Sequence, residues 1–376
     1  MNIGFDAKRI FQNFTGLGNY SRTLVENLLK YYPENNYKLF SSHVPSHPFN
    51  QVFQQSKNCQ IISPSPAFPF KSWWRRSNVT KSPLFHNLSV FHGLTNEIPL
   101  GIKKTNIPSV VTIHDLIFKE YPQQYPAIDR FFYNQKSRKA CMDADRIIAI
   151  SEATKYDIVK YYQIHPDKIS VIYQDCSPIF KTPPSEKDLQ FAKQQYNLPP
   201  TFILYVGSVI ERKNLLTIVK ALKILPKSLQ IPLVVVGQGK NYEKKVKKFI
   251  SHHQLNHLIQ WRHIPYNHLP AAYQLAEIFL YPSLKEGFGI PVIEALSIGT
   301  PVITSDTSSL VEAGGEAALQ IPPTDAEALS QGIELILTNV PLQTKMIAEG
   351  KMHVKKFDGQ KVTRELVQIY REISKD

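Results

Sequence analysis

Strand-like apolar runs alternate with amphipathic helical runs from one end of this chain to the other, and that alternation restricts the fold more than any other feature. NIGFDA reads as a strand and NYSRTLVENLLKYY as a helix, with Leu24, Leu28, Tyr31 and Tyr32 on one face. YKLFSS, SVFHGL, SVVTIHDL, RIIAIS and KISVIY read as further strands, with IDRFFYNQKSRKACMDA and EATKYDIVKYY as helices among them. The second half repeats the theme. FILYVGS, PLVVVG, EIFLYPS, PVITSD and AALQIPP are short apolar strands with helices between them, NLLTIVKALKIL first. A run such as LVVVG is apolar on both faces, which suits a parallel sheet covered by helices on each side. The expected class is α/β, wound twice.

Single cores stop growing at about 250–300 residues, so a chain of 376 residues is expected to form two domains. The Pro-rich, polar stretch from Ser177 to Asp188 separates the two alternating series. A second irregular stretch, Ser63 to Pro83, crowds prolines, paired tryptophans and basic residues together and reads as a long loop. The last helical run, VTRELVQIYREISKD, is amphipathic, with Leu366, Ile369, Tyr370 and Ile373 on one face.

Composition removes several function classes. No apolar run reaches the roughly 18 residues that span a bilayer. The N-terminus lacks the basic-then-apolar order of a signal peptide. The three cysteines, Cys59, Cys141 and Cys176, have neither disulfide nor metal-ligand spacing, so a reducing cytoplasmic setting is expected. The net charge of +13 leans toward the first half. It fits simple solubility, anionic small molecules or an anionic membrane surface better than nucleic acid, for which no recognition motif is present.

In open α/β sheets, ligands bind beyond the carboxyl ends of the strands, so the loops there are the candidate sites. Two such sheets joined by a short linker are expected to face each other across a cleft. After the first strand, Gly16 and Gly18 precede a helix, where backbone can approach an anion closely. After the first strand of the second half, Gly207 is followed by Arg212 and Lys213 just before a helix. Cations at a helix N-terminus oppose the helix dipole, so a diphosphate is a better account of this pair than a solvated face. The stretch KEGFGIPVIEA, Lys285 to Ala295, follows another strand. It sets Glu286 in a loop, aims the amides of Phe288, Gly289 and Ile290, and starts a helix at Pro291. Glu294 falls on that helix, near enough to meet ribose hydroxyls. Two carboxylates suit a polyhydroxylated ligand. His114, at the end of SVVTIHDL, and His92, in VFHGL, stand at strand ends, where contact with a substrate is expected.

EGFGIPVIEA resembles the E-x7-E signature of retaining glycosyltransferase family 4, whose fold is GT-B. TGLGNY, VVTIHDL, ADRIIAISEATKYDI and YVGSVIERKN are similar to that family in order and approximate spacing, over nearly the whole chain. The N-terminal pattern is closest to bacterial mannosyl- and hexosyltransferases of surface polysaccharide synthesis. The resemblance implies residues 1–178 as an acceptor-side Rossmann-like domain and 179–358 as a nucleotide-sugar domain. Residues 359–376 would form a helix crossing back to the first domain.

It also implies roles. Arg212 and Lys213 would hold the donor diphosphate, Glu286 the transferred sugar and Glu294 the ribose. Gly16, Gly18 and Gly207 would approach the phosphates, and His263 and Ile264 the base. His114 would lie near the sugar, with His92 and Asp115 on the acceptor side. No metal and no cofactor is implied, only a nucleoside-diphosphate sugar, GDP-mannose first among them, and a glycan or lipid-linked acceptor. Two departures stand out. Ser208 replaces a basic residue, and YQDCSPIF replaces a characteristic Asn-Gly-Val-Asp. A GT-B epimerase and a non-catalytic sugar-nucleotide-binding protein are the alternatives. Trp73, Trp74, Arg75 and Arg76 form an aromatic-basic cluster suited to peripheral contact with the inner face of an anionic membrane.

Overall fold

The computed structural model describes residues 1–65 and 68–374. The chain divides into two compact units, Met1–Asp175 with Phe357–Asp376, and Cys176–Lys356. Each is a parallel sheet covered by helices.

The first unit holds β1 (Asn2–Asp6), β2 (Asn36–Phe40), β3 (Cys59–Ile62), β4 (Val90–Gly93), β5 (Ser109–Ile113), β6 (Arg146–Ala149) and β7 (Ile169–Val171). Their order in the sheet is β3-β2-β1-β4-β5-β6-β7, parallel throughout. The second unit holds β8 (Ile203–Val206), β9 (Leu233–Val236), β10 (Ile259–Arg262), β11 (Ile278–Tyr281), β12 (Val302–Ser305) and β13 (Leu319–Ile321). Their order is β10-β9-β8-β11-β12-β13, also parallel. Chain order therefore reverses once in each sheet, between β1 and β4 and between β8 and β11. Those switch points are where loops diverge and leave room for a ligand.

Central strands such as β9 and β11 are buried at every residue, which is why they read as unbroken apolar runs. β3 and β10 escape the sequence reading for the complementary reason. Both are edge strands carrying polar residues on half-exposed faces.

The C-terminal helix, Gly359–Ile373, belongs to the first unit and packs on helix Gly16–Tyr31. Asp358 caps it by accepting from the Gln360 amide. Leu366, Ile369 and Tyr370 are buried as the spacing requires, with Val362 and Val367 beside them. Of the final run, Lys375 and Asp376 lie outside the described residues.

The stretch from Ser63 to Pro83 is not a long loop. Apart from Pro66 and Ala67, which lie outside the described residues, it folds into helix Lys71–Arg76 and a 3-10 turn at Asn78–Lys81. Its prolines crowd only the first part. Val79 then joins a core with Phe40, Phe85 and Phe91, and that burial holds the segment in place.

Candidate active site

The second unit gathers its charged groups at its switch point. A 3-10 turn, Glu211–Lys213, follows β8 and leads into helix Leu215–Ile224. Asn214 joins the two with a positive φ of 59°, a conformation that Asn tolerates better than most residues. Its side-chain amide donates to the carbonyls of Pro282 and Pro323 at 3.0 and 2.5 Å, which pins the turn to the loops after β11 and β13. Glu286 lies in the loop after β11, between Arg212 and Lys213. Arg212 Nη1 is 2.7 Å from Glu286 Oε2, and Lys213 Nζ is 2.7 Å from Oε1. Arg212 also donates to the Lys285 carbonyl at 2.6 Å, across 73 residues of sequence. Lys213 stands 4.6 Å above the Tyr281 ring and bonds its hydroxyl. Burial alone would push the Glu286 carboxyl up, but Lys213 and Arg212 outweigh it and hold it down to about 2.

Serines shape the Glu286 loop. Ser308 Oγ accepts from the Glu286 amide at 3.3 Å, and Ser309 Oγ donates to the Glu286 and Phe288 carbonyls at 2.9 and 2.8 Å. Phe288 is buried, Gly289 takes a φ of 130°, and helix Ile290–Ile298 starts with proline in its first turn. Glycine is required just as strictly between β8 and β9. Gly237 has a φ of 155°, and a Cβ there would lie 1.8 Å from the Gly207 carbonyl oxygen.

Glu294 points inward from its helix. Its oxygens accept from the Tyr266 hydroxyl at 3.2 Å and the Tyr273 hydroxyl at 3.1 Å. Burial raises its carboxyl to about 7 despite these two bonds. His263 is exposed and Ile264 buried, directly after β10. Ser208 is exposed, and its carbonyl accepts from the Tyr205 hydroxyl at 3.0 Å. Sequence reasoning missed Tyr266, Tyr273, Ser308 and Ser309. None carries a local signal, because each meets its glutamate through the tertiary fold.

In the first unit, a cavity of about 240 Å³ opens beyond β4 and β5. Arg9, Asn96, Glu97, His114, Asp115 and Lys136 line it, with Phe118, Tyr125 and Tyr133 as aromatic walls. His114 is buried and fully engaged. Nε2 donates to the Leu94 carbonyl at 2.9 Å, so Nδ1 is the acceptor for the Gln174 amide at 3.1 Å. Burial pushes its pKa down to about 4, so the ring is neutral at pH 7. Asn96, with a φ of 55°, accepts from the His114 amide and donates to the Asp115 carbonyl, at 2.9 and 3.3 Å. Asp115 Oδ1 accepts from the Ile117 amide at 3.1 Å. The departing stretch YQDCSPIF has a structural use: Gln174 fixes His114, and Asp175 accepts from the Asn27 amide at 3.2 Å.

Three expectations are corrected. His92 is 0% exposed and does not face a ligand. Its ring hydrogen bonds with the Tyr370 hydroxyl at 2.6 Å and the Thr112 hydroxyl at 2.8 Å, which ties the C-terminal helix to the sheet. Gly16 and Gly18 do not precede the helix but form its first turn, within Gly16–Tyr31. A Cβ on Gly18 would lie 1.9 Å from the Asn13 carbonyl oxygen, and the Gly18 amide donates to Asn13 Oδ1 at 3.0 Å, so packing accounts for this glycine. Arg75 is not a surface cation. It is buried, pairing with Asp6 and, at 2.9 Å, with Glu97. A run of adjacent basic residues cannot show which of them turns inward.

Comparison with known proteins bears on the family and the fold. The family described as Glycosyl transferases group 1 matches residues 186–353, and that described as Glycosyltransferase Family 4 matches residues 16–174. O-antigen chain mannosyltransferase B of Escherichia coli is 26% identical over 392 residues, covering 99% of this chain and 100% of that protein. The longer serotype-specific mannosyltransferase WbdA of Escherichia coli is 25% identical over 84% of this chain, which spans only 38% of WbdA. Among solved structures, a glycosyltransferase from Rickettsia africae ESF-5 has a TM-score of 0.76 at 20% identity, covering 100% of this chain and 99% of its own. Anabaena HepE, solved in complex with UDP-glucose, has a TM-score of 0.73 at 15% identity over 99% and 100% of the two chains. These structural likenesses speak for the fold, two Rossmann-like units of the GT-B class. With a glycosyltransferase family matched in each half, the chain belongs to the family 4 glycosyltransferases.

Proposed function

We propose that this glycosyltransferase is a retaining, metal-independent hexosyltransferase. It moves a hexose, with mannose first among the candidates, from a nucleoside-diphosphate sugar to a glycan or lipid-linked glycan in surface-polysaccharide synthesis. The convergence of Arg212, Lys213 and Glu286 at the switch point of the second sheet carries this reading. The lean toward mannose and surface polysaccharide comes from the Escherichia coli relatives. The lean toward a sugar nucleotide comes from the UDP-glucose complex of HepE.

Transfer requires a diphosphate to leave an anomeric carbon, and preplaced cations lower that barrier by stabilising the developing charge. Arg212 offers a planar fork and Lys213 a compact charge. Glu286 accepts from sugar hydroxyls. Glu294 retains lone pairs beyond its tyrosine bonds and accepts from the ribose. Gly207 and the amides of Phe288, Gly289 and Ile290 lie along the phosphates, and His263 and Ile264 meet the base. Asp115 stands on the acceptor side, with His114 near the transferred sugar. A neutral ring with both nitrogens engaged positions rather than exchanges protons, so His114 shapes the wall of its cavity.

Contact with an anionic membrane surface belongs to the same reading, and Arg76 of the tryptophan cluster lines one cavity with Phe131, Phe132 and Lys139. Helix Ala127–Asp143 exposes Ile128, Phe131, Phe132 and Met142 at 71, 58, 54 and 52%. Exposed Arg138 and Lys139 flank them. Among the described residues no helix is long and apolar enough to cross a membrane.

The test is a thermal-shift titration with GDP, UDP, ADP and their sugar conjugates, with and without divalent metal. One nucleotide family should stabilise the chain without metal, and Arg212→Ala should abolish the shift. No shift with any of them refutes the reading. Product analysis by NMR then reads the anomeric configuration, and inversion would overturn retention.

A further inference from the structure

The two cations assigned to a diphosphate already hold an anion, and the chain supplies it. Each oxygen of Glu286 faces one of them at 2.7 Å. The carboxylate comes from a loop held at its backbone by Ser308 and Ser309. It is 9% exposed, so a Glu286 displaced from its cations meets little water and needs other hydrogen-bond donors.

We propose that Glu286 is a built-in counter-ion that makes this subsite discriminate between a sugar nucleotide and a bare nucleoside diphosphate. The inference rests on the donor reading above and adds a selectivity to it. Any diphosphate at Arg212 and Lys213 competes with the Glu286 carboxylate for the same charge. A sugar nucleotide compensates the carboxylate by offering it hydroxyl donors. A bare nucleoside diphosphate offers nothing and leaves two anions facing each other across the cations. The spent donor is therefore bound less well than the fresh one, and Glu286 returns to its cations as the product leaves. Product inhibition is relieved by the residue that also grips the sugar.

The test is calorimetric titration of the full chain and of Glu286→Gln with inorganic pyrophosphate, GDP, GDP-mannose, UDP and UDP-glucose. The amide keeps the shape and removes the competing charge. Pyrophosphate and the preferred nucleoside diphosphate should bind the variant about tenfold more tightly, since opposed like charges are costly. The sugar nucleotide should gain less or lose affinity, so the ratio between the two narrows. Glu286→Asp, in which the carboxylate retreats by one methylene, should show a smaller gain in the same direction, and it is the variant to use if Glu286→Gln fails to fold. Should wild type bind nucleotides and both variants bind the bare diphosphates no better, Glu286 is only a scaffold for the cations and the inference falls alone. If wild type and variants bind none of the five ligands, the donor reading falls with it.

Discussion

Glu294→Gln should change the pH dependence of stability in a defined window and with a defined sign. The folded chain raises this carboxyl from an ordinary 4.5 to about 7 by burying it between Tyr266 and Tyr273. Between those values the folded state holds a proton that the unfolded state has released. Stability contributed by this group is therefore lost as pH rises through the window. A shift of that size corresponds to about 3 kcal/mol at pH 8. Other groups oppose it. His114 and His92 are held down to about 4 and about 3 by burial, so they add stability as pH rises through their own range. The difference between variant and wild type removes those contributions.

The assay is denaturant unfolding of both proteins at intervals from pH 4.5 to 8. Glutamine changes the hydrogen bonds to the two tyrosines and so adds a constant offset. The slope is the diagnostic quantity. Relative to wild type, the variant should gain about 3 kcal/mol across the window. A difference that does not vary with pH would mean that Glu294 keeps an ordinary pKa and that the burial argument is wrong. Glu286, held down to about 2, acts only below pH 4.5 and with the opposite sign, so the two glutamates do not confuse each other.

Removing one end of the His92–Tyr370 contact, in His92→Ala or Tyr370→Phe, should cost about 1–3 kcal/mol by leaving a buried polar group unpaired. A double-mutant cycle that shows additivity would refute the tie between helix and sheet. Arg75→Met removes the buried cation that faces both Asp6 and Glu97, leaves Asp6 without an ion pair, and should destabilise the first unit by about 3–5 kcal/mol, measured by urea unfolding. An effect under about 0.5 kcal/mol would place Arg75 at the surface after all. Gly237→Ala drives a Cβ into the Gly207 carbonyl at a positive φ and should lower the Tm of the second unit and weaken nucleotide binding together. Unchanged Tm would refute the close approach. Phe131→Ser with Phe132→Ser should abolish co-sedimentation with anionic vesicles at low salt, and wild type that never sediments would sink the membrane reading.

Much of the fold was legible because the signal is local. A covered parallel strand is a short apolar run, an amphipathic helix repeats at 3.6 residues, and glycine or proline marks the joint between them. Leu233–Val236 shows this plainly, since every residue of that strand is apolar and every residue is buried. The E-x7-E stretch was legible as chemistry for the same reason, since its loop, proline and helix lie within one short segment. The edge strands β3 and β10 were not legible, because polar residues on their half-exposed faces break the apolar pattern.

The sequence by itself determined the α/β alternation, the amphipathic last helix and the presence of cations and carboxylates beyond strand ends. Strand order, and with it the neighbours of each group, came from the tertiary structure. Arg212 meets Glu286 because β8 lies beside β11, although β9 and β10 come between them in the chain. His92 turned into the core, since a strand buried on both faces carries no pattern that tells which face a side chain takes. Arg75 turned inward because Asp6 and Glu97, 69 and 22 residues away, were waiting there. Local patterning sets which elements form. Which charges meet is set by packing between elements distant in sequence, and no window along the chain contains that information.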